Sequence, residues 1–372
     1  MVTATIVAPQ SSSLSSATTT PTNLSCAQAV VANWTLAQLA NETIVVPANA
    51  STIGSMGPAA RAGFGGLLLF GATAPASMTT VLAKLQSMTP QKYSMMVMTD
   101  EEGGGVERLT NVAGPFPWAQ TMGKNLTPAE IGAIGVRIGR ALSAAGVNVD
   151  LAPVLDVDGR PVMPGAGDPD GLRSFSGSPS IVANDGPAFM TGLSRGGVTS
   201  VVKHFPGLGG STRNTDYGPA RTLAWSVLQK TGLVPFVRAI ASGATAVMLS
   251  NASVPGLTSL PASLSPVVVR ELRQTLGFQG LIVTDSLSAG AIGALHLSVP
   301  MAAVEALQAG ADQILFGSPT SSAASLALAN QVSSAIVAAV TKGSLPRATL
   351  SGAAALVLAT RNTVSCPSPP VA

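Results

Sequence analysis

The chain has 372 residues, 46% of them hydrophobic and only 10% charged, which is enough apolar side chain for a sizeable core and excludes a disordered protein. Its 20 Lys and Arg against 17 Asp and Glu leave a net charge of +3. The cations are scattered rather than gathered into a stripe that would neutralise successive phosphates, which argues against nucleic acid as a partner. Two histidines and two cysteines are too few for a zinc or iron–sulfur site, so neither metal nor cofactor is expected.

Residues 1–25 are rich in Ser, Thr, Ala and Pro, with no aromatic and no charge, and read as a disordered leader. The first basic residue is Arg61, so this leader shows no basic n-region of a signal peptide. Cys26 opens the ordered part and Cys366 closes it. A disulfide between them would close a loop long enough to contribute on the order of 3–5 kcal/mol, and would place the protein outside the cytoplasm, secreted or cell-wall associated. Every apolar run is interrupted before the roughly 18 residues a membrane span requires, so no transmembrane segment is expected.

From there, short runs rich in β-branched and aliphatic residues alternate with Ala-rich stretches of helical spacing. The spacing predicts strands near 42–48, 65–71, 93–100, 147–156, 198–205, 245–251, 280–285 and 312–317. Helices are predicted near 78–88, 127–146, 180–195, 223–242, 264–276 and 299–309, followed by 322–341 and 347–362. Thr127-Pro128-Ala129-Glu130 is a capping-box start. Strands without polar alternation suit a parallel sheet covered by helices, and eight βα units over residues 26–372 predict a single (β/α)₈ TIM-type barrel. Two Rossmann-like halves are the alternative, but no G-x-G-x-x-G follows the first strand, and Gly103-Gly104-Gly105 lacks a Walker Lys-Ser/Thr.

Active sites of barrels lie at the carboxyl ends of the strands, and those ends carry Asp100, Asp156, Lys203 with His204, Asn251 and Asp285, with Arg173 in the loop after the fourth strand. The ordered segments Asp100-Glu101-Glu102-Gly103-Gly104, Leu151-Ala152-Pro153-Val154-Leu155-Asp156, Arg173-Ser174-Phe175, Lys203-His204-Phe205-Pro206-Gly207 and Gly277–Leu287 together resemble glycoside hydrolase family 3, in its branch of bacterial β-N-acetylhexosaminidases. The resemblance implies a retaining mechanism, with Asp285 as nucleophile and Asp100, Arg173, Lys203 and His204 holding the sugar of the −1 subsite. It also implies a carbohydrate substrate with terminal β-linked N-acetylglucosamine, plausible sources being cell-wall fragments, and a monomer. Each residue has a plainer reading as well. Asp285 is a possible helix N-cap, Asp100 and Arg173 a buried ion pair, His204 a core histidine, and Lys203 the nucleophile of a Schiff-base aldolase.

The sequence departs from the family after Lys203–Gly207. A histidine usual there is Leu208, another after the sixth strand is Asn251, and the Asp-x-His acid/base dyad reads Asn214-Thr215-Asp216. His296, the other histidine, lies past the seventh strand and is not expected to substitute. Asp216 is the candidate acid/base, with Asn214 donating a hydrogen bond to its carboxylate. The alternative is a catalytically impaired member acting as a glycan-binding protein.

Overall fold

The computed structural model describes residues 21–90, 93–317 and 321–361. Seven parallel strands form one curled sheet: β1 Val45–Asn49, β2 Gly66–Phe70, β3 Met96–Thr99, β6 Val149–Asp150, β7 Thr199–Phe205, β8 Ala246–Leu249 and β9 Leu281–Thr284, paired in that order. Between β3 and β6 runs a separate antiparallel hairpin of β4 Glu101–Gly103 and β5 Val106–Glu107. The expected eighth strand, 312–317, is not a regular strand. It bridges both edges of the sheet through Ile314 with Ile44 and Gln313 with Val283, with bonds such as Ile314 N–H to Thr43 O (2.8 Å) and Thr284 N–H to Gln313 O (3.0 Å).

Of the expected strand 147–156, only Val149–Asp150 is regular. Pro153 has no N–H to give the ladder, and the chain continues with a single bridge from Val154 to Lys203. The strand side chains facing inward are apolar, with Val45, Leu68, Met96, Met98, Val149, Val201, Met248 and Val283 forming one cluster inside the sheet. A larger cluster fills the layer between sheet and helices.

Helix Pro128–Ala144 starts as the capping box requires: Glu130 N–H donates to Thr127 Oγ1, and Thr127 N–H donates to the Glu130 carboxylate at 2.8 Å. The predicted helix 223–242 is broken into Trp225–Leu228 and Leu233–Ala241. At the break the Gly232 backbone lies against Pro206 and Gly207, where a Cβ would be 2.8 Å from Leu228 Cδ2 and 3.1 Å from Pro206 O. Of the leader expected at 1–25, Pro21–Ser25 belong instead to helix Pro21–Val31; residues 1–20 lie outside the described residues. Cys26, on that helix, is buried and disulfide-bonded, while Cys366 lies outside the described residues.

One expectation from apolar run lengths is corrected. Helix Ser322–Thr341 is 20 residues long, with a mean hydropathy of 1.5, and is long and apolar enough to cross a membrane by length and composition. Small residues dominate it, and its Ser and Asn residues do not interrupt the helix. Its buried positions, Ser325, Ala329, Val332, Ser333, Ile336 and Ala339, recur at helical spacing, and that face packs on helices Val299–Ala309 and Leu36–Glu42.

The last helix, Arg347–Thr360, packs on Pro21–Val31 and Leu36–Glu42. Polar contacts lock this junction of chain ends: Arg347 Nη2 donates to Trp34 O at 2.8 Å, Arg361 Nη2 to Gly65 O at 2.8 Å, and Arg361 pairs with buried Glu42 at 2.6 Å. Burial raises Glu42 to about 7, with Arg361 pulling the other way. Replacing Arg361 by Met strands that carboxylate, and should cost about 3–5 kcal/mol at pH 8 in urea unfolding. An acid whose folded pKa is raised stabilises the fold in its protonated form, and that contribution is lost as pH rises. The difference between Arg361→Met and the parent is therefore expected to shrink from pH 8 to pH 5. A difference that stays constant would mean that Glu42 is not the stranded group.

Candidate active site

The carboxyl ends of the strands open into a cavity of ≈ 400 Å³. Its lining includes every expected site residue: Asp100, Arg173, Lys203, His204, Asn214, Asp216 and Asp285. The sheet places Asp100 directly after β3, Lys203 and His204 near the end of β7, and Asp285 directly after β9.

On the floor is a buried charge network. Lys203 Nζ lies 2.7 Å from Asp100 Oδ1 and 2.5 Å from Glu102 Oε1. Glu102 in turn takes a two-pronged contact from Arg173, Nε to Oε2 at 2.7 Å and Nη2 to Oε1 at 2.9 Å. Arg173 Nη1 donates to Pro169 O at 2.8 Å, fixing the planar guanidinium at its other edge. Asp100 and Arg173 are thus not the ion pair that the sequence allowed: each is paired through a third group. Burial would raise Glu102, but the Arg173 and Lys203 charges overcome it and hold the carboxylate well below its usual range.

Glu102 was missed in the sequence, although a signal was there. In an extended chain, residues i and i+2 point to the same side, so Asp100 and Glu102 share a face and Glu101 takes the opposite one. Glu101 accepts the Arg108 and Leu109 N–H groups at 2.9 and 2.6 Å and so clamps the return of the hairpin. The hairpin turn needs its glycine. Gly104 has φ +60°, and a Cβ there would be 2.0 Å from the Trp118 ring.

Lys203 cannot serve a Schiff base as it stands. Burial would lower its pKa, yet Asp100 and Glu102 raise it above the ordinary value, so the amine stays an ammonium with no lone pair, whereas a nucleophilic lysine must be deprotonated. The aldolase reading falls on this contact.

His204 is buried, and its Nδ1 sits 2.6 Å from Asp156 Oδ2. Asp156 also accepts the backbone N–H groups of His204 (3.2 Å) and Leu208 (2.6 Å). As an acceptor of that many bonds Asp156 acts as the carboxylate, so Nδ1–H donates to it and Nε2 is left as an acceptor. Burial, with the Arg173 charge adding, pushes His204 down to about 4; it is neutral at pH 7. Beside this pair lies fully buried Asp170, which burial and then the Asp156 charge push well above the carboxylate range. Ligand atoms of Asp156, Asp170 and His204 lie within 4.8 Å of one another, a spacing that would admit a metal ion. Counting histidines and cysteines overlooked this group, because two of its three members are buried aspartates; the oxygens of Asp156 are, however, already occupied by the three donors above.

Asp285 accepts the Ser286 N–H at 2.7 Å, and no helix begins there, since the next one spans Gly290–Gly293 with Ala289 at its cap. The N-cap reading is therefore not what the fold uses. Burial raises the Asp285 pKa; the His204 side opposes this, and the charge of Asp216 adds to it. Asn251 braces the neighbour of Asp285: its Nδ2 donates to Ser286 O at 2.7 Å, and its Oδ1 accepts from Ser263 at 2.6 Å.

Asp216 is exposed, in the 3₁₀ turn Thr215–Tyr217 at the rim. Asn214 does not donate to its carboxylate as expected. Instead Asn214 Oδ1 accepts the Asp216 backbone N–H at 2.9 Å, while its own N–H donates to Ala166 O at 2.9 Å. The turn rests on Gly290, where a Cβ would come within 2.8 Å of Asp216 O and Gly218 N. Leu208 is buried in the lining, and His296 is exposed and outside it.

Comparison with known proteins gives the family of the chain. Residues 59–360 match the glycosyl hydrolase family 3 N-terminal domain. An uncharacterized secreted glycosyl hydrolase of Arthroderma benhamiae is 35% identical over 295 residues, 76% of this chain and 80% of that protein. Beta-hexosaminidase LpqI of Mycobacterium tuberculosis is 35% identical over 229 residues, 60% of this chain and 58% of LpqI, so the alignment spans little more than half the length of that relative. Among solved structures, beta-N-acetylhexosaminidase from Beutenbergia cavernae superposes with a TM-score of 0.79 at 30% identity, covering 89% of this chain and all of that one. The five ordered motifs, the curled parallel sheet and the domain match agree: this chain belongs to glycosyl hydrolase family 3, a family of glycosidases.

Proposed function

We propose that the protein is a retaining β-N-acetylglucosaminidase. Its barrel is read as (β/α)₈, with segment 312–315 in the eighth position between β9 and β1. The reading is carried by one observation: Asp285 and Asp216 share a single cavity whose floor is the Asp100, Glu102, Lys203 and Arg173 network. The names of the relatives, beta-hexosaminidase and beta-N-acetylhexosaminidase, support the substrate class.

In this mechanism the Asp285 carboxylate attacks the anomeric carbon while Asp216 protonates the glycosidic oxygen and the leaving group departs. Asp216, now a carboxylate, takes a proton from water, which displaces Asp285 and restores both groups. Asp100 accepts from sugar hydroxyls, Lys203 and Arg173 donate, and Nε2 of neutral His204 accepts one more. Because these groups are held by one another, they are positioned before the sugar arrives, and little reorganisation is needed at the transition state. Asp216 replaces a histidine in the role of acid, as a second carboxyl does in most retaining glycosidases. No observation favours the binding-only reading.

The disulfide of Cys26 and the secreted relative support a location outside the cytoplasm, with Cys366 as the partner cysteine and terminal N-acetylglucosamine of cell-wall fragments as the source of substrate.

A 2-deoxy-2-fluoro glycosyl fluoride, which forms the intermediate faster than it breaks down, should label the peptide bearing Asp285 in mass spectrometry; normal turnover with the label on any other residue rejects the assignment. Since burial raises Asp285 above the usual aspartate value, the acid limb of kcat/KM should fall above pH ~4, with activity lost as pH decreases through it; a limb below that value contradicts Asp285 as the titrating nucleophile. Asp216→Ala is expected to slow methyl or sugar leaving groups by roughly 10²–10⁴-fold and a dinitrophenyl leaving group, which needs no protonation, far less. Equal slowing of both classes would remove Asp216 from the role of acid.

A further inference from the structure

We propose that Tyr217 is the stacking platform for the sugar on the leaving-group side of the scissile bond, so that the site selects β-N-acetylglucosaminides of a second pyranose over those of small alcohols. The inference rests on the proposed reaction and extends it to the other half of the substrate.

Position comes first. The acid must reach the glycosidic oxygen, and that oxygen lies between the two sugars. The charge network and His204 occupy the buried floor, where the cleaved sugar sits, whereas Asp216 stands on the rim. Tyr217 follows Asp216 in the same 3₁₀ turn and also lines the cavity. A side chain adjacent to the acid and above the floor faces the leaving group.

Chemistry comes second. This chain has only two tyrosines, and this one is 63% exposed at the mouth of a cavity lined by both polar and apolar side chains. Among the described residues its ring joins no aromatic pair and no cation–π contact, so its faces are open. An amphipathic ring with a free face matches the C–H face of a β-linked pyranose, and the phenol can reach a ring hydroxyl. Methanol or another small alcohol offers no such face.

Rigidity comes third. A platform raises affinity only when it is already in place. The turn is capped by Asn214, hooked to Ala166 O, seated on Gly290, and held at its far end by Arg213 Nη2 donating to Tyr217 O at 3.4 Å. The backbone that carries the ring is therefore fixed on several sides.

The test compares the intact protein with Tyr217→Ala and Tyr217→Phe. Binding is measured with N-acetylglucosamine and with the sulfur-linked disaccharide of two N-acetylglucosamines, which is not hydrolysed. The parent should bind the disaccharide roughly tenfold more tightly than the single sugar; Tyr217→Ala should lose that margin, and Tyr217→Phe should keep most of it. In hydrolysis, the ratio of kcat/KM for N,N′-diacetylchitobiose to that for methyl β-N-acetylglucosaminide should drop about as much in Tyr217→Ala, mainly through KM. Equal binding of both sugars by the parent, an unchanged ratio in Tyr217→Ala, or a Phe variant as impaired as the Ala variant overturns the platform. A parent that shows the binding margin but cleaves neither substrate overturns the proposed reaction and upholds the platform.

Discussion

The ammonium of Lys203, buried between the carboxylates of Asp100 and Glu102, is the constraint on which the rest of the site depends. An unpaired charge at that depth would cost several kcal/mol, so the end of β7 is held to the end of β3 and to the hairpin after it. Glu102 extends the tie to Arg173, and with it to the loop before Ser174, whose hydroxyl donates to Asp156 O at 2.6 Å. Two strand ends, the hairpin and one loop are thus locked by a single network. Removing one member strands the others, which makes such networks expensive to alter and precise in geometry.

Against that fixed floor the carboxylates divide by their surroundings. Glu102 is saturated by two cations and stays ionised. Asp156 is saturated by backbone N–H groups and by His204, and it sets the tautomer of that histidine. Among the described residues Asp285 accepts the Ser286 N–H, and it senses the Asp216 charge across the cavity. A carboxylate with few donors and raised basicity suits a nucleophile, because its charge is not spent on the protein. Asp216 differs again: it is exposed to solvent on a braced turn at the rim.

Outside the site, the first and last described helices meet. The helices Pro21–Val31 and Arg347–Thr360 pack together, and Arg361 contacts Glu42 and Gly65 near the place where Ile314 and Gln313 bridge to Ile44 and Val283. The catalytic end of the sheet and this junction are separate uses of scarce charge, each placing buried ions where backbone elements from distant parts of the sequence must be joined.

Much of this was legible in the sequence. Seven of eight strands and the capping box at Thr127 follow from local patterns, aliphatic runs of strand length and a Thr-Pro-x-Glu start. Charges at strand ends pointed to Asp100, Lys203 and Asp285, the family resemblance was needed to single out Asn214 and Asp216, and Glu102 was missed. What the sequence left open depends on groups far apart in it. Whether Arg173 meets Asp100 or Glu102 and whether Lys203 is amine or ammonium are decided only when β3, β7 and their loops are brought within a few ångströms. Residue type and spacing determined which chemistry was present and on which end of the sheet. Tertiary structure decided which charges neutralise each other, because pairing and desolvation depend on distance in space, and the linear chain does not encode that distance locally.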